Sequence, residues 1–214
     1  MNLIKKLLKL EKGATLILDK NGRHEIGGKA PDELTIPVLD TSPVVYFGKI
    51  MHEEKCLKWV DFDFYLLCPI FLNIGIPVFM DYSNSLSPLI IRDNVPTLFQ
   101  HYFDEIPASA HITYTGCKFR FDPGYDRDLI RMDAIGSAGE PDWLQGPDWP
   151  ISPISGKRMK FLFQLADVNC SEAITGKEYL EKESLDTYLH FAHGDLYVFF
   201  EPETRIVAYL NQFT

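Results

Sequence analysis

Short apolar runs separated by turn-forming residues recur along the chain, and this pattern is typical of β-strands. Residues 44–50 are β-branched and aromatic, while residues 60–64 alternate apolar with acidic side chains. A hairpin closed through Gly116 is predicted between 112–114 and 118–121, and a tight turn at 201–204 joins the last two strands. Further strands are predicted at 76–81, 89–92, 129–133, 159–165, 188–192, 196–200 and 205–210.

Helical spacing of apolar residues is confined to short segments. Residues 1–10 form an amphipathic pattern, residues 94–106 carry an apolar stripe that stops before Pro107, and residues 177–183 are a polar stretch with a capping pattern. We expect the first helix to pack on its own domain, with contact between its basic face and a membrane surface as the alternative.

A break in composition separates the two groups of strands. Residues 136–156 contain four Gly, four Pro and two Trp, without a helical or strand period. They predict a long loop, and the tryptophans indicate that it is ordered. The fold class is therefore β-rich α+β, with two packed antiparallel sheet units, a few short helices and this loop. We expect one domain over 1–214, with 1–135 and 136–214 as possible halves.

The charge balance restricts the kind of partner. With 21 basic and 30 acidic residues the formal net charge is −9, which argues against nucleic-acid binding because that function needs a cationic face. The most apolar stretch, 64–80, is interrupted by proline, asparagine and glycine, so no membrane span is predicted. The four cysteines form no CxxC pair, and no secretory signal is recognised at the N-terminus. We expect a cytoplasmic protein with free thiols.

Residues that would support catalysis are few. No nucleophile elbow and no phosphate-binding glycine loop is present, and His190 and His193 are not spaced to share a face of a strand. Asp61 and Asp63 share one face of a predicted strand, where they serve either as an acid–base pair or, as we favour, as its solvated side. We predict no catalytic residues, no metal ligands and no cofactor.

The strongest motif begins in the predicted loop. Residues 139–165 contain Gly-Glu-Pro-Asp-Trp-Leu-Gln, then Pro-Asp-Trp-Pro, Ser-Pro-Ile-Ser-Gly and Phe-Leu-Phe-Gln-Leu, and residues 194–199 read Gly-Asp-Leu-Tyr-Val-Phe. This order resembles the YwqG-like family of bacterial proteins of unassigned function. More distantly it resembles the C-terminal region of the eukaryotic programmed-cell-death-protein family, whose relatives escort a ribosomal protein. The likeness covers 139–201, under a third of the chain.

One departure from the family pattern bears on metal binding. Where that pattern can carry Cys-Pro-x-Cys-Gly, this chain has Ser152 and Ser155. A serine hydroxyl is a much poorer zinc ligand than the cysteine thiolate that it replaces. The resemblance therefore implies the fold without a metal, and it carries over no catalytic residues.

The candidate binding residues lie in and under the loop. Trp143 and Trp149 form either a recognition surface or a cover over a β core, and the structural role is favoured for Trp143. Gln164 and Gln145 either face solvent or, as we favour for Gln164, satisfy backbone amides of the loop. The binding set, completed by the two carboxylates that flank the tryptophans, is Asp142, Trp143, Gln145, Asp148, Trp149 and Gln164.

These observations favour a non-catalytic protein-binding module whose acidic surface holds a basic protein partner. The distant resemblance implies a chaperone-like escort, while charge and size also fit an immunity-type inhibitor of a basic toxin. The alternative is an enzyme whose site is built from scattered residues, with Asp61, Asp63 and His193 as the first suspects. The oligomeric state is left open. A deep pocket lined by perturbed titratable groups would favour the enzyme, and a broad acidic face with exposed aromatic side chains would favour the binder.

Overall fold

A computed structural model describes residues 13–40, 42–52, 54–69, 76–91, 106–123, 132–166, 168–179, 186 and 194–213. Within this part of the chain, strands dominate and regular helix is almost absent. One short 3-10 helix covers Lys55–Leu57. The strands are β1 (Ala14–Leu18), β2 (His24–Gly28), β3 (Val44–Ile50), β4 (Phe64–Pro69), β5 (Val78–Asp81), β6 (Leu89–Ile90), β7 (Tyr114–Pro123), β8 (Ala134–Ala138), β9 (Lys160–Leu165), β10 (Gly194–Glu201) and β11 (Ile206–Phe213).

All eleven strands belong to one antiparallel sheet in the order β4-β3-β2-β7-β1-β8-β9-β10-β11-β5-β6. The predicted division into two sheet units is not confirmed, because β1 pairs with β7 on one side and with β8 on the other. That strand was not predicted, nor was β2. A strand of five residues between turns gives a weak periodic signal, although β1 lies at the centre of the sheet.

The sheet curls so that β4, at one end, meets β11 and the residue that follows β5, which lie near the other end. Tyr82, which follows β5, donates a hydrogen bond of 2.6 Å from its hydroxyl to the backbone oxygen of Tyr65 in β4. The hydroxyl of Tyr209 in β11 accepts one of 3.2 Å from the amide of Leu67, and the two hydroxyls lie 2.8 Å apart. Two tyrosines therefore satisfy backbone groups of the terminal strand β4, which would otherwise be open to pairing with another chain.

Side chains on the two faces of the sheet enter two separate cores. Along β10, Leu196, Val198 and Phe200 belong to the main core, where Phe200 meets Phe62. Tyr197 and Phe199 point the other way, as the strand period of two requires, and enter a second core. The buried members of that second core are Phe79, Met159, Phe161, Tyr197, Phe199, Ile206, Ala208 and Leu210.

The predicted strands are recovered unevenly. Those at 44–50, 159–165, 196–200 and 205–210 agree with β3, β9, β10 and β11, and the turn after Glu201 is present. The hairpin through Gly116 is wrong, since this glycine lies inside the continuous strand β7. The segment predicted at 60–64 enters a strand only at Phe64.

Several predicted elements lie wholly or partly outside the described residues. These are the helices at 1–10 and 94–106, most of the helix at 177–183, and the strands at 188–192 and 129–133. The last two residues of 129–133 are described, and they lie in a turn before β8. Among the residues that the structure does describe, no helix is long and apolar enough to cross a membrane.

Candidate functional site: the tryptophan loop

The segment between β8 and β9, residues 139–159, is called the tryptophan loop here. It leaves β8 at Ala138, re-enters the sheet at Lys160 and contributes both of its indole rings to the second core. The loop therefore covers the face of the sheet opposite the main core. It carries five of the six predicted binding residues, and the sixth, Gln164, lies in β9 beneath it.

Gln164 and Tyr197 hold the first part of the loop. The amide of Asp142 donates a 2.6 Å hydrogen bond to Oε1 of Gln164. The Tyr197 hydroxyl donates to the Asp142 carbonyl at 2.6 Å and accepts from the amide of Leu144 at 3.1 Å. Gln164 is only 4% exposed, so these bonds satisfy groups that water reaches poorly. The prediction that Gln164 pairs with the loop backbone is confirmed.

Gln212 holds the next part of the loop from β11. Its Oε1 accepts from the amide of Gln145 at 3.1 Å, and its Nε2 donates to the carbonyl of Gly146 at 3.1 Å. The side chain of Gln145 donates to the carbonyl of Phe213 at 2.8 Å. Three polar residues on three neighbouring strands, Gln164, Tyr197 and Gln212, thus fix the backbone of the loop in one position.

The two indole rings are half-buried and pack on β10. Trp143 stacks on Tyr197 with ring centroids 5.0 Å apart, and on Phe199 at 5.9 Å. Trp149 contacts Trp143 at 5.6 Å and Phe199 at 5.8 Å, both with the rings strongly inclined. The rings close the second core, which is the role favoured for Trp143 from the sequence.

Residues 151–158 form a tight turn at the far end of the loop. The amide of Ser152 donates to the carbonyl of Lys157 at 2.8 Å, and the amide of Gly156 donates to the carbonyl of Ser152 at 2.9 Å. The Ser152 hydroxyl accepts from the amides of Ile154 and Ser155 at 3.4 and 3.3 Å. This hydroxyl therefore serves the turn itself. Among the described residues, no group of three or more metal-ligand side chains is found.

The outer surface of the loop exposes apolar side chains together with charged side chains of both signs. Leu144, Ile151 and Ile154 are 40%, 53% and 62% exposed. Glu140 and Asp148 are also exposed, and within the described part of the chain neither has a basic nitrogen within 4.0 Å. A rigid loop with apolar tips and uncompensated carboxylates is suited to contact with another protein.

A carboxyl group lies half-buried beneath the loop. Asp195, at the start of β10, accepts a 2.9 Å hydrogen bond from Nε2 of Gln164. Burial and the nearby charge of Asp142 raise the pKa of Asp195 to about 7, although the bond from Gln164 acts in the opposite direction. Neither the short motif nor the alternation of β10 indicated this residue as special.

The residues suspected for an enzyme do not share partners. Asp61 pairs with Arg205, whereas Asp63 accepts from Nδ1 of His52 at 2.9 Å and from Lys49 at 3.0 Å. Burial alone would raise the pKa of Asp63, but the bonds from His52 and Lys49 outweigh it and lower that pKa. Both aspartates precede β4, so the predicted shared strand face is not observed. His193 lies outside the described residues.

Comparison of the chain with protein-family models, with curated proteins and with solved structures found no match. The fold and the site therefore define the protein only as an antiparallel β protein with an anchored surface loop.

Proposed function

We propose that this protein is a non-catalytic protein-binding module, with the tryptophan loop at the centre of an acidic surface that holds a basic protein partner. A chaperone-like escort and an immunity-type inhibitor are the two forms of this function. Membership of the YwqG-like family and a cytoplasmic location belong to the same proposal. The order of motifs over 139–201 supports the first, and the free thiols support the second.

The observation that carries the proposal is the way in which the loop is fixed. Five backbone groups between Asp142 and Gly146 are bound by side chains of Gln164, Tyr197 and Gln212. A loop that is ordered before binding loses little conformational entropy when a partner docks. Its apolar tips then remain available, because the bonds that position the loop use buried side chains of the sheet.

Charge supports the choice of a basic partner. The chain carries a net charge of −9, and Glu140 and Asp148 are exposed on the loop. Opposite net charges accelerate encounter between proteins, and salt weakens this effect over a Debye length of about 8 Å at physiological ionic strength. Exposed rim charges act mainly on the association rate.

The test uses a partner captured from native cytosol at low salt and released at high salt. Stopped-flow association is then measured at two salt concentrations for the wild type, for Asp148→Asn and for Glu33→Gln, which removes another exposed carboxylate far from the loop in sequence. We expect the rate to fall with salt and with Asp148→Asn, and to change little with Glu33→Gln. Asp142→Asn is less suitable, because the charge of Asp142 also acts on Asp195.

A second variant tests the apolar tips directly. Ile154→Ser removes a side chain that is 62% exposed, so it should weaken binding without lowering the stability of the fold. Two results together would refute the proposal: an association rate that changes neither with salt nor with Asp148→Asn, and an unchanged affinity of Ile154→Ser. They would show that the loop is not part of the interface.

A further inference from the structure

A shallow groove opens beside the tryptophan loop, where the two cores approach the start of β9. Its walls include Trp59 and Trp149, and Met159 and Phe161 contribute apolar lining. Trp59 packs on Phe200 of the main core at 5.8 Å, while Trp149 belongs to the second core. The open space within the groove is about 540 Å³, which is far more than a single ion requires.

Two cations line this groove. The Arg158 guanidinium carbon lies 3.8 Å from the ring centroid of Trp149, and Nζ of Lys160 lies 5.5 Å from that of Trp59. Both side chains are exposed, and within the described residues neither has a carboxylate oxygen within 4.0 Å. Their neighbour Lys157, by contrast, is paired with Glu203 at 2.5 Å.

The arrangement leaves the donors of both cations available. A guanidinium stacked on an indole ring keeps its N–H groups in its own plane, where they can bind a carboxylate in bidentate fashion. The ring holds the long arginine side chain in place, so less rotamer entropy is lost when an anion binds. Arg158 and Lys160 both line the groove, so a ligand that fills it meets both charges.

The shape of the groove selects the class of ligand. Small molecules are usually enclosed by deep pockets that bury most of their surface, and this groove is wide open to solvent. Both indole rings already carry a cation, which disfavours a nucleobase that would need a ring face for stacking. An extended peptide remains, in which a carboxylate meets the cations and an apolar neighbour packs on the half-buried side chains of Trp59 and Trp149.

We infer that the groove between Trp59 and Trp149 is a second binding site, which takes an acidic peptide segment of a partner through Arg158 and Lys160. The site is opposite in charge to the acidic surface assigned to the basic partner. It stands on its own observations, because the proposed function depends on Asp148 and on the exposed loop tips.

The experiment measures fluorescence anisotropy of a short labelled peptide with paired glutamates between leucines, added to the full chain. The control peptide has glutamines in place of the glutamates. We expect saturable binding of the acidic peptide only, weakened about tenfold or more by Arg158→Gln and by Lys160→Gln, because each substitution removes charge-assisted hydrogen bonds. Lys157→Gln is the matched control: it removes the same charge from the same segment and should change the dissociation constant less than about twofold.

The outcomes decide between alternatives. Equal binding of the glutamine peptide, an equal effect of Lys157→Gln, or no binding at all would overturn the inference. Displacement of the peptide by inorganic phosphate at equal concentration would also overturn it, since the site would then serve a free anion. Thermal unfolding of each variant checks the fold, and if Arg158→Gln is unstable, Arg158→Lys keeps the charge and should weaken binding to an intermediate extent.

Discussion

The half-buried carboxyl of Asp195 gives a sharp prediction about stability and pH. Its pKa is raised from the ordinary value of 3.8 to about 7, first by burial and second by Asp142. A carboxyl whose pKa is higher in the folded state than in the unfolded state stabilises the fold only while it is protonated. Stability is therefore lost as the pH rises from about 4 through 7. The variant Asp195→Asn removes the charge and retains an oxygen that can accept the bond from Gln164.

The magnitude follows from the same values. A tenfold change in proton affinity is worth about 1.4 kcal/mol, so the difference between 3.8 and about 7 corresponds to at most about 4 kcal/mol. This is an upper bound, because relaxation around a charged side chain reduces the penalty. Compared with a total stability of roughly 5 to 15 kcal/mol, even half of it is readily measured. We expect Asp195→Asn to be more stable than the wild type above pH 7 and to differ little near pH 4.

The assay is urea unfolding of both proteins at several pH values, followed by tryptophan fluorescence. Asp148→Asn, on the exposed side of the loop, is the control and should leave the pH profile unchanged. Asp142→Asn should lower the pKa of Asp195, which a carboxyl-carbon NMR titration reads directly. Parallel stability profiles for wild type and Asp195→Asn would refute the reasoning.

Three further substitutions test the anchoring of the loop and the closure of the sheet. Trp143→Ala should lower the free energy of unfolding by about 2 to 4 kcal/mol in urea titration, somewhat less than for a fully buried aromatic ring because Trp143 is only partly buried. An unchanged midpoint would show that the ring contributes nothing to the second core. Tyr209→Phe leaves the amide of Leu67 without its acceptor and should cost about 1 to 3 kcal/mol by the same measurement; a neutral result would contradict the closure described for β4. Gly48→Ala places a Cβ 2.1 Å from the Glu25 carbonyl oxygen at a φ of +141°, so the free energy of unfolding should fall by more than about 1 kcal/mol in the same urea titration. Wild-type stability would contradict the tight pairing of β2 and β3.

The local signals in the sequence were sufficient for several elements. The β-branched and aromatic run at 44–50 is β3. The loop predicted at 136–156 is present from Gly139 onward, whereas residues 136–138 belong to β8. Gln164 stood out because a polar side chain interrupts the apolar strand 160–165, and a buried amide needs a partner. Such features depend on near neighbours, so the order of residues is enough to reveal them.

Other features of the site were formed only by pairing of distant segments. Gln212 binds Gln145 across 67 positions of the sequence. Asp195 lies close enough to Asp142 for the charge of Asp142 to raise its pKa, although the sequence of β10 gives no sign of this. Trp59 and Lys160 come together because Lys160 pairs with Phe200, on whose ring Trp59 stacks. The alternation of β10 predicts which side chains share a face, but it does not say what covers that face.

The prediction of two sheet units, where the structure has one sheet, was not confirmed for the same physical reason. Strand formation is favoured by local sequence, whereas the choice of neighbouring strand depends on which apolar faces can be buried together. The five residues of β1 are too few to show their importance in a periodic pattern, yet their backbone groups pair with both β7 and β8. The sequence by itself therefore determined most strands and the character of the loop, while the tertiary structure decided how they join and which charges meet.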